Sequence, residues 1–172
     1  MTSTIFTIGF TKKTAEQFFA LLREARVQKL IDIREKRDGQ LAGFAKYPDL
    51  AFFLDSVLGI AYDYQPLFAP SPEIRTAYRK TRDWDQYETS FRELMEQRKV
   101  LERADPHAFE GRVALLCSEN EPDRCHRRLV AEMLAKEWRA RGHEVEIKHL
   151  IIPKPVPPRK RRRKAHAGTD SL

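Results

Sequence analysis

Cysteine is scarce in this 172-residue chain: Cys117 and Cys125 are the only two. They are too few for a disulfide scaffold, and a reducing compartment fits them. Long apolar runs are missing as well. The longest patches are short ones such as Val113 to Cys117, far from the roughly 18 residues a spanning helix needs, so no membrane partner is expected. The first residues, Met1-Thr-Ser-Thr-Ile-Phe, lack a basic stretch followed by an apolar one, the mark of an export signal, and a cytoplasmic location is therefore expected. No internal repeat is visible, and a collagen-like chain is excluded.

What is present is a globular balance: 41% hydrophobic and 33% charged residues, enough apolar mass for a core. The formal net charge of +7 is unevenly spread. Beyond Ile152 the chain has seven basic residues (Lys154, Arg159, Lys160, Arg161, Arg162, Arg163 and Lys164) against the single acid Asp170. Residues 1–152 carry the remaining 25 basic and 24 acidic side chains and are close to neutral. Net charge alone therefore gives no reason to treat the folded part as a nucleic-acid-binding domain. Residues 153–172, rich in Pro, Arg and Lys, have little to bury and read as a disordered tail. Non-specific, salt-sensitive contact with nucleic acid through Arg159 to Lys164 is a possible use of that tail.

Within residues 1–152, short apolar runs alternate with helical periodicity. Thr4 to Ile8 reads as a strand ended by Gly9, and a helix follows from Thr14, which pairs with Gln17 as a capping box. Leu30 to Ile33 is a second strand, followed by a polar loop from Glu35 to Lys46. A helix begins at Pro48 and is closed by Gly59; Ile60, Tyr62 and Tyr64 then alternate as a half-buried strand. Ser71-Pro72 and Asp83 each read as a helix start, the second helix carrying Trp84, Tyr87, Phe91, Leu94 and Met95. Val113 to Leu116 is the most apolar strand and the best candidate for the sheet centre. A strong helix begins after it, with Asp123 as its expected cap and Gly142 just past its end, and Val145 to Ile152 is the last strand. The expected fold is a single three-layer α/β domain over residues 1–152, with a mostly parallel sheet of about five strands.

Sheets of this kind bind ligands beyond the carboxyl ends of their strands. Here those ends carry Gly9, Asp32 with Arg34, and Cys117 with Glu119; the next helix opens with Cys125-His126-Arg127. In the first helical turn, Cys125 would have its thiolate favoured by the helix dipole, although a small packing residue is the plainer reading. Cys117 occupies the strand-to-loop position where rhodaneses and cysteine phosphatases place their nucleophile. The loop after it has no glycine, however, and Glu119, Glu121 and Asp123 outnumber Arg124, which disfavours an oxyanion cradle. Asp32 and Glu119 together can serve acid–base chemistry or grip hydroxyls; otherwise Asp32–Arg127 or Glu119–Arg34 is a structural ion pair that fixes the loops. Cys117, Cys125, His126 and Asp32 are possible metal donors, but the eight-residue step between the cysteines departs from the short zinc pair. No metal or other cofactor is assigned from the sequence, and a metal stays open.

Thr7-Ile8-Gly9-Phe10-Thr11, Ile31-Asp32-Ile33-Arg34, Gly59-Ile60-Ala61-Tyr62 and Leu116-Cys117-Ser118-Glu119 with Cys125-His126-Arg127 together resemble the domain of unknown function family 488. The resemblance covers about residues 4–152. It implies a compact α/β domain and locates a site, with no reaction attached. One departure is Phe10, where that family usually has histidine.

The functional expectation is an enzyme acting on a small polar molecule, nucleotide- or sugar-like. Cys117, Cys125, Asp32 and Glu119 are its candidate catalytic groups, and Gly9, Arg34, His126 and Arg127 its ligand-binding groups. The alternatives are a non-catalytic ligand- or redox-sensing module and a nucleic-acid-associated protein acting through the tail. Oligomeric state is not legible.

Overall fold

A parallel strand covered by helices on both faces must be apolar on both, and Val113-Ala-Leu-Leu116 satisfies this because it lies mid-sheet. The computed structural model describes residues 2–39 and 42–153; the expected tail from residue 154 onward, with Arg159 to Lys164, lies outside the described residues. Five strands pair: β1 (Thr2–Gly9), β2 (Lys29–Asp32), β3 (Ala61–Tyr64), β4 (Gly111–Cys117) and β5 (Glu144–Leu150). Their order is β3-β2-β4-β1-β5 and every pairing is parallel, giving the α/β class expected from the pattern.

The helices follow their caps. Thr14 and Gln17 form the capping box of α1 (Ala15–Glu24). Helix α2 (Asp49–Phe53) continues through a wide π-helical turn, Leu54–Leu58, and stops at Gly59, whose φ of 64° is left-handed. Ser71 caps α3 (Pro72–Thr81) and Asp83 caps α4 (Trp84–Gln97). A four-residue helix, α5 (Val100–Arg103), was not anticipated. The last helix, α6 (His126–Ala140), begins two residues later than the sequence suggests. Its N-cap is Cys125, with extended backbone and no side-chain capping bond, because residues 123–124 form a turn ahead of it.

Strand alternation sorts the core into two halves. Ile5, Ile31, Val113 and Leu115 pack against Tyr87 and Phe91 of α4 and Leu129, Leu134 and Trp138 of α6. Phe6, Leu30, Ala114 and Leu116 pack the opposite face against Phe18 and Leu22 of α1 and Leu50 of α2. The chain thus leaves β1 toward one face and β4 toward the other, and the diverging loops open a crevice at their carboxyl ends. The strand register sets what lies there: Gly9 pairs with Cys117, and Asp32 with Leu116. Among the described residues no helix is long and apolar enough to cross a membrane.

Candidate functional site

The loop after β4 is held by its backbone, with side chains of α6 and of the loop after β1 as clamps. Arg127, fully buried on α6, donates from Nη1 to the Glu119 carbonyl at 2.5 Å and from Nη2 to the Asn120 carbonyl at 3.0 Å. Its Nε lies 3.4 Å from Thr7 Oγ1. From the loop after β1, the backbone N–H and the hydroxyl of Thr11 both donate to Ser118 O, and Lys13 Nζ donates to Asn120 Oδ1 at 2.8 Å. Gly9 makes the fit possible: a β-carbon there would lie 1.6 Å from the Glu119 carbonyl oxygen.

This pinned loop brings four groups together. Cys117 Sγ, Glu119 Oε2, Cys125 Sγ and a ring nitrogen of His126 all lie within 4.8 Å of one another. Cys117 Sγ touches Glu119 Oε2 and stands 3.4 Å from His126 Nδ1, while Cys125 Sγ is 3.3 Å from the same carboxylate oxygen. His126 Nε2 is 3.2 Å from the Ile33 carbonyl, an acceptor that only an N–H satisfies; in the neutral ring Nδ1 therefore turns its lone pair toward Cys117. Arg127 Nη1 also reaches Cys125 Sγ at 3.2 Å. Cys117, Cys125 and His126 are buried, whereas Glu119 is an exposed residue whose carboxylate end turns in onto the sulfurs.

These neighbours divide the protons unequally. Burial alone would raise the Cys117 thiol; its hydrogen bond with Cys125 and then the charge of His126 outweigh that and hold it well below the usual thiol range. Cys125 is pushed well above it by burial, by the same hydrogen bond and by the Cys117 charge. Burial of the carboxylate end and then Cys117 raise Glu119 to about 7. In His126 the pull of burial toward the neutral ring is overcome by the Cys117 charge, so its pKa is raised. Left to themselves, the four groups favour one anionic sulfur, on Cys117.

Asp32 is elsewhere. It lies two residues after Leu30 and so faces the α1–α2 side of the sheet, while Cys117, two after Leu115, faces the α6 side. The expectation that Asp32 and Glu119 share one crevice as a carboxylate pair does not hold in the geometry. Asp32, wholly buried, accepts from Arg34 Nε at 2.8 Å and Nη2 at 2.6 Å and from the Tyr62 hydroxyl at 2.8 Å. Arg34 spends a third donor on Ala45 O, and Phe10 lies under its guanidinium, 5.3 Å from centroid to Cζ. The ion pair is therefore Asp32–Arg34, neither of the two pairings suggested by the sequence.

Above the cluster opens a cleft of about 610 Å³. Glu119, Cys125 and His126 line its inner end, with Phe10 and Arg34 beside them. The α3–α4 hairpin supplies Tyr78, Arg79, Arg82, Trp84 and Tyr87, none of which the sequence marked as site residues. Lys36 and Arg124 complete a ring of exposed cations. Arg75 is paired with Glu35, but Lys36, Arg79, Arg82 and Arg124 make no ion pair among the described residues. Trp84 stacks on Tyr87 (4.9 Å between centroids) and Tyr87 on Phe91 (6.1 Å), and Phe91 lies 5.9 Å from the His126 ring. An aromatic column thus runs from the cleft wall to the cluster. The helical stripe of Trp84, Tyr87 and Phe91 was legible; its position over the strand ends was not, because that depends on how the hairpin folds back.

The model of a family described as "Domain of unknown function DUF488" matches residues 14–134, and the chain belongs to that family. The match includes Asp32, Arg34, Glu119 and the Cys117 to Arg127 segment. No curated protein and no solved structure matches.

Proposed function

We propose that this DUF488 protein is an enzyme acting on a small anionic molecule that carries a flat ring, a nucleotide-like substrate, with the Cys117–Glu119–Cys125–His126 cluster as its reaction centre. The observation that carries the reading is the cleft itself. Aromatics and cations, four of them without an ion pair among the described residues, form its walls; Glu119, Cys125 and His126 line its inner end, with Cys117 buried against them. About 610 Å³ falls within the range of about 300–1,000 Å³ usual for small-molecule sites.

Each part has a role. Arg79, Arg82, Lys36 and Arg124 attract and hold the anionic group, and the half-buried rings of Tyr78 and Trp84, which line the cleft, suit a base or sugar ring. Arg34, kept in place by Asp32 and Ala45, presents its edge beside Phe10 and positions the part of the ligand nearest the cluster. Arg127 and Gly9 hold the loop that carries Glu119. Asp32 is a positioning residue here and touches no substrate.

Trp84 provides the readout, since the other tryptophan, Trp138, is fully buried in the core. Titration with adenosine monophosphate should change Trp84 fluorescence, and the change should vanish in Trp84→Phe. Reversing two charges in Arg79→Glu/Arg82→Glu should weaken that binding by about tenfold or more, a loss of about 1.4 kcal/mol. Uncharged adenosine should be affected far less. Incubation with the four common nucleoside monophosphates, followed by mass spectrometry, looks for turnover that disappears in Cys117→Ser. Absence of any fluorescence response to all four, or binding indifferent to the charge reversal, overturns the reading.

A further inference from the structure

Two thiols, a carboxylate and an imidazole lone pair converging on one point form a donor set, and a set of this composition suits a soft-to-borderline divalent ion. Around a tetrahedral zinc, with Zn–S near 2.3 Å and Zn–N or Zn–O near 2.1 Å, donor atoms stand about 3.3–3.8 Å apart. Cys117 Sγ to His126 Nδ1 is 3.4 Å and Cys125 Sγ to Glu119 Oε2 is 3.3 Å, and no pair in the set exceeds 4.8 Å; Cys117 Sγ and Glu119 Oε2 touch, and the exposed Glu119 must draw back to admit the ion.

We infer that Cys117 Sγ, Cys125 Sγ, His126 Nδ1 and the Glu119 carboxylate bind one zinc ion at the inner end of the cleft.

The surroundings support this independently of the spacing. His126 anchors Nε2–H on the Ile33 carbonyl, the outer hydrogen bond that commonly orients a ligating histidine and leaves its other nitrogen free for metal. Arg127 donates to Cys125 Sγ and, through the Glu119 carbonyl, fixes the backbone that carries the carboxylate. The ligands come from rigid places: the last residue of β4, the pinned loop, and the N-cap and first residue of α6. Packed together, two sulfurs and a carboxylate repel one another when ionised. The guanidinium in contact with them, that of Arg127, also serves two carbonyls and a hydroxyl, and a dication would neutralise the set.

The four donors are not equivalent. Cys117, Cys125 and His126 are buried, whereas Glu119 is exposed and lines the cleft. Glu119 is accordingly the exchangeable ligand. When it swings aside, the ion keeps three protein ligands and an open position toward the substrate, the arrangement of catalytic zinc sites. This deepens the cleft reading and rests on it for its catalytic consequence; zinc binding itself stands on the cluster alone.

The test uses the full chain, purified without chelator and then incubated with excess zinc chloride and desalted. Elemental analysis should find close to one zinc per chain. Cobalt(II) in its place should give the strong visible bands of a tetrahedral site together with near-ultraviolet thiolate charge-transfer absorption. Cys125→Ser should lose the charge-transfer intensity of one sulfur and retain little zinc. Because that buried substitution can also unfold the protein, Glu119→Gln serves as the second variant. It should fold as the parent does, by circular dichroism, and bind zinc about tenfold or more weakly. A folded parent that retains no zinc, and whose two thiols react with a disulfide reagent at the same rate with or without zinc, overturns the inference. Adenosine monophosphate titration on the same samples separates the two ideas. Nucleotide binding without metal binding sinks the zinc site and leaves the cleft reading intact; zinc without nucleotide does the reverse.

Discussion

The carbonyl oxygen of Glu119 occupies the space where a side chain on residue 9 would begin: an ideal β-carbon at Gly9 lies 1.6 Å from it. No residue with a β-carbon fits without moving one backbone away from the other. Gly9 was expected among ligand-binding residues, but the geometry gives it a different task, admitting the loop that carries Glu119. Its neighbour in register is Cys117, so the displacement would reach the cluster directly.

Gly9→Ala should therefore destabilise the fold by about 1–3 kcal/mol, the usual cost of overpacking, and should weaken zinc retention as well. Urea unfolding and metal content measured on the same preparation check both. Parent-like stability and metal content would show that the loop yields freely.

The Asp32–Arg34 pair makes a second point of sensitivity. Asp32 is fully buried and Arg34 nearly so, and removing one partner leaves the other charge uncompensated. Asp32→Ala should cost about 3–5 kcal/mol, the range for breaking a buried pair, and it also strands the Tyr62 hydroxyl. Chemical denaturation measures this. A cost below about 1 kcal/mol, typical of exposed pairs, would mean that the pair is solvated in the folded protein.

His149 on β5 gives a pH signature. Its Nδ1 is 2.8 Å from Thr7 Oγ1, and partial burial of the ring, followed by the nearby Arg127 guanidinium, lowers its pKa from the ordinary 6.5. The folded protein thus holds this proton less tightly than the unfolded chain. The contribution to stability is complete above that ordinary value and is lost as pH falls below it, until folded His149 itself protonates. Urea midpoints at about pH 7 and about pH 5.5 should differ less in His149→Gln than in the parent. Equal differences in the two proteins would remove His149 as the source.

The parts of this architecture readable from sequence are those decided within a few residues. Thr14 with Gln17, Ser71 before Pro72, and Asp83 announce helix starts because each cap satisfies nearby amides. Val113 to Leu116 announces the sheet centre because both its faces are covered. The cysteine-rich segment was legible as a site for a similar reason: its members come from one strand end and the helix that follows. Asp32 was misplaced because β2 is apolar on both faces and hides its alternation, so nothing local tells which side the carboxylate takes. Arg79, Arg82 and Trp84 escaped notice since they reach the cleft only through the packing of α3 and α4 beside α6. The cap of α6 also differed, Cys125 standing where Asp123 was expected, and this turns the sulfur inward.

Whether cleft and cluster form one site is decided by a crystal structure of the full chain grown with zinc and adenosine monophosphate. An anomalous zinc peak is expected within bonding distance of Cys117 Sγ, Cys125 Sγ and His126 Nδ1. The nucleotide phosphate should lie against Arg79 and Arg82, with the base on Trp84. A cleft without nucleotide, together with no zinc peak among the four donors, would contradict a single site.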